Sequence, residues 1–211
     1  MREAEVQWLD IDYSEFTTGQ YIIEAPQSCN KTGGIGTLKD NVILIGSRNC
    51  LLKQTKARFP DVIKDLHITD EIDDQGKPVY SDLEIIRQSL NLGINYSSLY
   101  KLRDPLADLG RFKALVIDEP NLLWSHSTLY KPDWRNEEVF ERLVLNTPVV
   151  IWLGASIDRH IKEEIEEYAQ LRANNRFYDQ DKPIPIIDKN NLPEKYHERE
   201  AYEINNGLST E

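Results

Sequence analysis

Two pairs of residues in this sequence have the types that handle phosphate and a divalent ion. Lys31 and Thr32 close the stretch Glu24-Ala25-Pro26-Gln27-Ser28-Cys29-Asn30-Lys31-Thr32, and Asp118 and Glu119 open Asp118-Glu119-Pro120-Asn121. Each follows an apolar run. In a phosphate-binding loop, glycines let the backbone wrap a triphosphate, a lysine reaches the terminal phosphates and a threonine hydroxyl binds Mg²⁺. Here Lys31 and Thr32 are in place, but Ser28 and Asn30 stand where glycines are usual. Asn30 tolerates a positive φ better than most residues, whereas a Cβ at Ser28 crowds the path of the phosphates. Asp118, at the end of a strand, suits Mg²⁺ held through a water, and Glu119 beside it suits orienting or deprotonating an attacking water. An Asp-Glu pair after a strand carries little alone, because a strand must end in something polar. Paired with Lys-Thr after an earlier strand, it points to a nucleotide fold.

The elements that must position these residues follow from hydrophobic periodicity. Strands are expected at Tyr21 to Glu24, Asn41 to Ile45, Leu66 to Thr69, Ile94 to Tyr96, Ala114 to Ile117 and Pro148 to Leu153. Several are continuous apolar runs of the kind buried in parallel sheets. Between them lie helical patterns: one opening at Thr32 to Leu38, one with Leu51, Leu52, Thr55 and Phe59 on one face and Pro60 as its stop, and one capped by Ser81 with Ile85, Ile86 and Leu90 buried and Gly93 as terminator. Leu99, Leu102, Leu106 and Leu109 continue at helical spacing, with a restart at Asp104-Pro105; Val139, Phe140, Leu143 and Val144 mark another helix, and Ile161, Ile165, Tyr168 and Ala169 the last. Alternating strands and helices imply βαβ units and a parallel sheet covered on both faces. Ligands of such sheets sit at the carboxyl ends of strands, where Lys31, Asp118 and Ser156 all fall.

Composition narrows the function. Of 211 residues, 25 are basic and 36 acidic, a net charge of -11; that excludes a surface that binds nucleic acid all over and leaves room for a local basic path. Cys29 and Cys50 are too few for a disulfide scaffold, and with four scattered histidines they give no metal-ligand spacing. No signal-type segment opens the chain and no run reaches the ~18 apolar residues of a membrane span. The expectation is a cytoplasmic, zinc-free protein with no membrane partner. Residues 1–20 read as an N-terminal extension, 21–172 as the domain, and 173–211 as a polar tail or linker.

The ordered segments resemble the first lobe of superfamily 2 helicases, of the DEAD-like kind. That family's first motif, Ala-x-x-Gly-x-Gly-Lys-Thr, is matched in degenerate form by Ala25, Lys31 and Thr32; its second, Asp-Glu-x-x, by Asp118 and Glu119; its third, Ser-Ala-Thr or a relative, loosely by Gly154-Ala155-Ser156. The resemblance implies a P-loop NTPase of RecA-like, three-layer α/β fold over about Tyr21 to Arg172. It implies ATP and Mg²⁺ held by Ala25, Ser28, Asn30, Lys31, Thr32 and Asp118, with Thr32 and Asp118 toward the metal and Lys31 and Glu119 as catalytic groups. Gly154, Ala155 and Ser156 would couple hydrolysis to strand movement. Val42-Ile43-Leu44-Ile45-Gly46-Ser47-Arg48 is similar to a segment that touches the nucleic-acid backbone, with Ser47 and Arg48 as contacts; Ile94-Asn95-Tyr96-Ser97-Ser98-Leu99-Tyr100 is similar to a later one, with Ser97 and Ser98 offering hydroxyls and N–H groups at a helix start. The nearest flavour is that of replication-origin-binding and plasmid-replication helicases of viruses and bacteria, which makes single-stranded or origin DNA the expected partner.

Such helicases close the site with arginines from a second lobe, and the roughly 40 residues after Arg172 are too few to build one; a second lobe or another subunit is therefore an expected partner. Three readings compete. The first is an ATP-binding lobe acting on DNA in viral, phage or plasmid replication. The second is a non-catalytic descendant serving as a nucleic-acid-binding or assembly module. A small-molecule kinase is disfavoured by the adjacent Asp118-Glu119 and the third segment. Arg48, Lys53, Lys56, Arg58 and Lys64 are open to two readings, a strand-facing basic path or, for the last four, a solvated helix face. Trp124, Tyr130 and Trp134 suit packing better than base stacking.

Overall fold

The computed structural model describes residues 10–26, 29–60, 66–68, 72–77, 82–103, 108–123, 134–174 and 183–187. Seven strands form one sheet: β1 Gly19–Glu24, β2 Val42–Gly46, β3 Leu66–Ile68, β4 Asn91–Asn95, β5 Ala114–Asp118, β6 Val149–Gly154 and β7 Pro183–Ile187. Their spatial order is β3-β4-β2-β5-β6-β1-β7, and the strand pairs are parallel. Every residue of β1, β2 and β6 is buried. That is why β2 and β6 are uninterrupted apolar runs rather than alternating ones, and why Gln20 and Glu24 in β1 are buried too: a parallel sheet covered on both faces has no wet side.

Within each strand, neighbours point to opposite faces. Ile23, Leu44, Val116 and Ile151 join Tyr13, Ile35 and Leu52 in one core. Ile22, Ile43, Ile117 and Trp152 join Leu99, Phe140, Leu143 and Ile161 in the other. The helices are α1 Asn49–Arg58, α2 Asp82–Gln88, α3 Trp134–Asn146 and α4 Arg159–Asn174. Three-residue 3₁₀ turns at Tyr13–Glu15 and Leu109–Arg111 and longer 3₁₀ segments at Lys31–Thr37 and Tyr96–Arg103 accompany them, and residues 120–123 are helical. Buried polar side chains are answered locally: Trp152 Nε1 donates to Gln20 Oε1 at 3.1 Å, and Asn91 accepts from Val42 N at 2.9 Å while donating to Lys39 O at 2.9 Å, which fixes the entry to β2.

Several details depart from expectation. The segment after the loop is a 3₁₀ helix over Lys31–Thr37, because Gly33, Gly34 and Gly36 weaken an α-helix. Gly93 does not terminate a helix; it sits inside β4, paired with Leu44 and Ile68. Leu90 is 47% exposed rather than buried, since the helix has ended at Gln88 and Leu90 stands on the turn into β4. Residues 183–187, read as tail, pair with β1 as the seventh strand. The Ser81 cap, the Asp104-Pro105 restart, Leu106, Lys64, Trp124 and Tyr130 lie outside the described residues.

Arg172 is fully buried near the end of α4. Its guanidinium donates to the carbonyls of Val144, of Thr147 at 2.8 Å and of Pro148 at 2.9 Å, capping the C-terminus of α3, where unmet carbonyls and the helix dipole favour a cation. Arg172→Met keeps most of the volume and leaves these carbonyls without that donor. The expected loss is about 2–4 kcal/mol of unfolding free energy in a denaturant titration. A change under ~0.5 kcal/mol would contradict the capping role.

Candidate functional site

The register of the sheet sets the site. Glu24 is level with Gly154, Asp118 with Leu153, Ile117 with Ile45, and Gly46 with Asn95. Everything that follows β1, β6, β5, β2 and β4 is therefore delivered to one edge. Ala25 N donates to Gly154 O at 3.1 Å and Glu119 N to Leu153 O at 2.8 Å, so the first and second segments are each tied to the end of β6.

At the loop, Ala25 is fully buried and Lys31 nearly so. The Lys31 ammonium turns back into the loop, donating to Ala25 O at 2.9 Å and Pro26 O at 3.3 Å. Asn30 is left-handed, at φ 63° and ψ 30°, so the residue standing at the last glycine position adopts the backbone a glycine would permit, and asparagine is among the few residues that do so at low cost. Ser28 lies outside the described residues. Behind the loop, the Tyr13 hydroxyl donates to Lys31 O, and Tyr13 N donates to Thr37 Oγ1 at 2.8 Å. Burial, with the Asp118 carboxylate adding to it, holds the Tyr13 phenol well above its usual range, so it stays a donor.

A cavity of about 620 Å³ opens in front of this loop; Asn30, Lys31 and Thr32 line it from one side, Asp118, Glu119 and Asn121 from another, and Ala155 and Ser156 from a third. Of the expected nucleotide and metal residues, Asn30, Lys31, Thr32 and Asp118 thus meet at one place with two of the three coupling residues, while Ala25 is fully buried. Gly154, the third coupling residue, is buried at the end of β6; a Cβ there would stand 2.7 Å from Ile157 Cγ1, so the turn into Ala155 needs glycine. Glu119 is itself left-handed at φ 53°, a conformation that costs a non-glycine residue energy and tends to persist at functional sites.

Ser47 and Ser97 are joined elsewhere along the same edge. Asn95 Nδ2 donates to Ser47 O and Asn49 Oδ1, each at 3.3 Å, while Asn95 Oδ1 accepts from Ser97 N and Ser97 Oγ at 3.0 Å. The Ser47 hydroxyl is buried and has no hydrogen-bond partner among the described residues. Arg48 is exposed at the N-cap of α1, and Ser98 is buried beside exposed Ser97.

Four residues that periodicity and motif spacing did not single out belong to this geometry. Glu24 is 1% exposed; its Oε1 accepts from Ile157 N at 3.0 Å and its Oε2 pairs with Lys162. Asn121 Oδ1 accepts from Asp158 N at 3.1 Å. Together they pin the segment that follows Gly154-Ala155-Ser156. Asn95 bridges the two serine segments. Arg58, at the end of α1, donates from Nη1 to Thr32 Oγ1 at 2.9 Å and from Nη2 to Asn30 Oδ1. A charge ending an apolar strand was a readable signal for Glu24; the direction in which Arg58 turns had none. Of the two readings open for Arg58, neither describes its contacts.

Burial raises the Asp118 carboxyl to about 6, the neighbouring Glu119 carboxylate adds to this, and the Lys31 ammonium offsets part. Hard oxygen donors such as the Thr32 hydroxyl and the Asp118 carboxylate suit Mg²⁺, which takes one or two protein oxygens and completes its shell with phosphate and water. No group of three His, Cys, Asp or Glu side chains that could cage a metal occurs among the described residues. The arrangement fits a metal that arrives with a nucleotide. A carboxyl whose folded pKa lies above its unfolded value stabilises the fold fully below the unfolded pKa and loses that contribution as pH rises through 6. In Mg²⁺-free buffer, Asp118→Asn should therefore gain on the native protein by about 2–3 kcal/mol between pH 4 and pH 7. Denaturant titrations across that range, giving parallel curves instead, would contradict the buried carboxylate.

Among the described residues, no helix is long and apolar enough to cross a membrane. No protein-family model and no curated protein matches the chain. Solved structures do. The chain is similar to a hypothetical ATP-dependent RNA helicase from Sulfolobus tokodaii at 13% identity and a TM-score of 0.53, covering 72% of this chain and 45% of that one. It is similar to a DEAD box protein from the hyperthermophile Methanococcus jannaschii at 13% identity and TM-score 0.54, covering 72% and 43%. It is also similar to the RNA helicase Prp28 from Chaetomium thermophilum bound to ADP, at 10% identity and TM-score 0.52, covering 71% and 39%. It spans less than half the length of each, and identities this low speak to fold alone. A parallel sheet with helices on both faces, together with this likeness, gives the chain a RecA-like α/β fold.

Proposed function

We propose that the chain is an ATP-binding, helicase-like lobe that acts on DNA in the replication of a virus, phage or plasmid. The observation that carries the nucleotide reading is the meeting of Lys31-Thr32, Asp118-Glu119 and Ala155-Ser156, three segments well separated in sequence, around one cavity at the carboxyl edge of a parallel sheet. The similarity to a helicase bound to ADP is consistent with it. Lys31 would take the terminal phosphates, Thr32 and Asp118 would hold Mg²⁺, and Glu119 would orient or deprotonate the attacking water. Mg-ATP supplies a phosphoryl group whose transfer the protein promotes by position and charge. Glu24 and Asn121, by holding Ile157 and Asp158, keep the Gly154-Ala155-Ser156 turn against the cavity, which supports its coupling role.

The polynucleotide is the finer part of the proposal. DNA rests on the resemblance of the ordered motifs to replication helicases, while two of the similar structures are RNA helicases by name. The serine segments bridged by Asn95, with Ser97 exposed, support a backbone contact there and are neutral between DNA and RNA. The whole protein's partners would include a second lobe or another subunit that completes the site.

A second reading, a non-catalytic lobe used for binding or assembly, is favoured by one feature: the front of the loop carries the Asn30 side chain bonded to Arg58. Melting curves of the 211-residue chain with Mg-ATP, with and without single-stranded DNA or RNA oligonucleotides, test the proposal. A rise in Tm with Mg-ATP, enhanced by DNA more than RNA, supports it, and the absence of any nucleotide effect overturns it. ATP hydrolysis stimulated by single-stranded DNA would exclude the non-catalytic reading.

A further inference from the structure

We propose that Arg58 is a phosphate-binding residue of this site, delivering a guanidinium from α1 to the terminal phosphate oxygens of the nucleotide. The inference rests on the nucleotide reading above and assigns part of the work to a residue outside its motifs. Arg58 is the last residue of α1 and lines the same cavity as Lys31, Asp118 and Glu119. Its two terminal nitrogens are spent on loop acceptors, the Thr32 hydroxyl and the Asn30 amide oxygen. The Asn30 contact exists only because a side chain stands where a glycine is usual. The guanidinium lies 5.1 Å from the centre of the Phe59 ring, and the exposed Arg58 side chain is turned along the rim of the cavity toward the loop.

Charge favours the same conclusion. A nucleoside triphosphate brings three to four negative charges into a cavity that already holds Asp118 and Glu119. Lys31, tied to two loop carbonyls, is one cation; the metal is a second; Arg58 is a third, and the planar fork of a guanidinium matches phosphate oxygens two at a time. Nucleotide exchanges neutral acceptors on Asn30 and Thr32 for charged ones, a substitution that favours the bound state. Arg58 thereby supplies, from within the lobe, positive charge at the phosphate end. A diphosphate lacks the terminal group, so the benefit falls chiefly on the triphosphate.

Calorimetric titration of the full chain, its Arg58→Met variant and its Arg58→Lys variant with Mg-ATP and Mg-ADP separates the outcomes. Arg58→Met should weaken ATP about 10–100-fold and ADP by less than about threefold, with Arg58→Lys between, because an ammonium keeps the charge and loses the fork. Circular dichroism and Tm of the variants without nucleotide check that this exposed position leaves the fold intact. If the native chain binds ATP and Arg58→Met binds it equally or more tightly, the assignment is overturned, the tighter case marking Arg58 as a plug. An equal loss for ATP and ADP also overturns it. If the native chain binds neither nucleotide, the underlying reading falls and takes this one with it.

Discussion

Lys31→Met raises the Kd for Mg-ATP by about 100-fold and removes the nucleotide-dependent rise in Tm. One lost charge-assisted contact to a phosphate corresponds to about 2–3 kcal/mol, and no other residue from Glu24 to Thr32 carries a positive charge. The variant has a second, separable effect. Lys31 braces the carbonyls of Ala25 and Pro26 with its ammonium, and methionine fills the same channel without donating. The Tm without nucleotide should therefore fall as well, by a few degrees if about 1–2 kcal/mol is lost. Melting curves with and without Mg-ATP separate the two: the brace shows in the curve without ligand, the phosphate contact in the difference. A variant whose Tm still climbs with Mg-ATP as the native protein's does would remove Lys31 from the site.

Glu119→Gln should lower ATP turnover by about 10²–10⁴-fold, the range ascribed to a positioned general base, while leaving Mg-ATP affinity near that of the native chain. Gln is nearly isosteric and keeps the backbone bond from residue 119 to Leu153 O. The left-handed backbone at this position disfavours both side chains alike, so the comparison isolates the carboxylate. Binding by calorimetry and turnover by phosphate release must be measured on the same preparations. Native-like turnover in the variant would move the base elsewhere; loss of binding would show that Glu119 serves affinity instead.

The sheet was legible because its central strands are buried on both faces. Val42 to Gly46 and Val149 to Gly154 have no polar side chain to break the run, and their ends fall within a residue or two of the expected positions. Legibility failed where a residue's role depends on what lies across the sheet. Gly93 carries a helix-stop signature in one dimension, yet pairing with Leu44 and Ile68 makes it mid-strand. Pro183 to Ile187 alternates proline and isoleucine, a pattern that reads as linker until β1 offers it an edge. The site divides in the same way. Asp118 and Glu119 were readable because the strand before them aims them, and Asn30 because its tolerance of positive φ is intrinsic. Arg58, Asn95 and Asn121 act through partners 26, 48 and 37 positions away, and no local pattern records such a distance.

Gly34 and Gly36 stand behind the loop rather than at its front. Gly34 lies so close to the Tyr13 ring that a Cβ there would come within 2.4 Å of it, and Gly36 meets Phe59 at 2.8 Å. Close approach, which a glycine-rich loop reserves for phosphate, is used here to seat two aromatic rings behind the segment that holds Lys31 and Thr32. The cavity-facing residues and the stretch around Tyr13 therefore share one cooperative unit. A minimal fragment trimmed to the first strand would lose the backing of its loop while keeping every residue that faces the cavity.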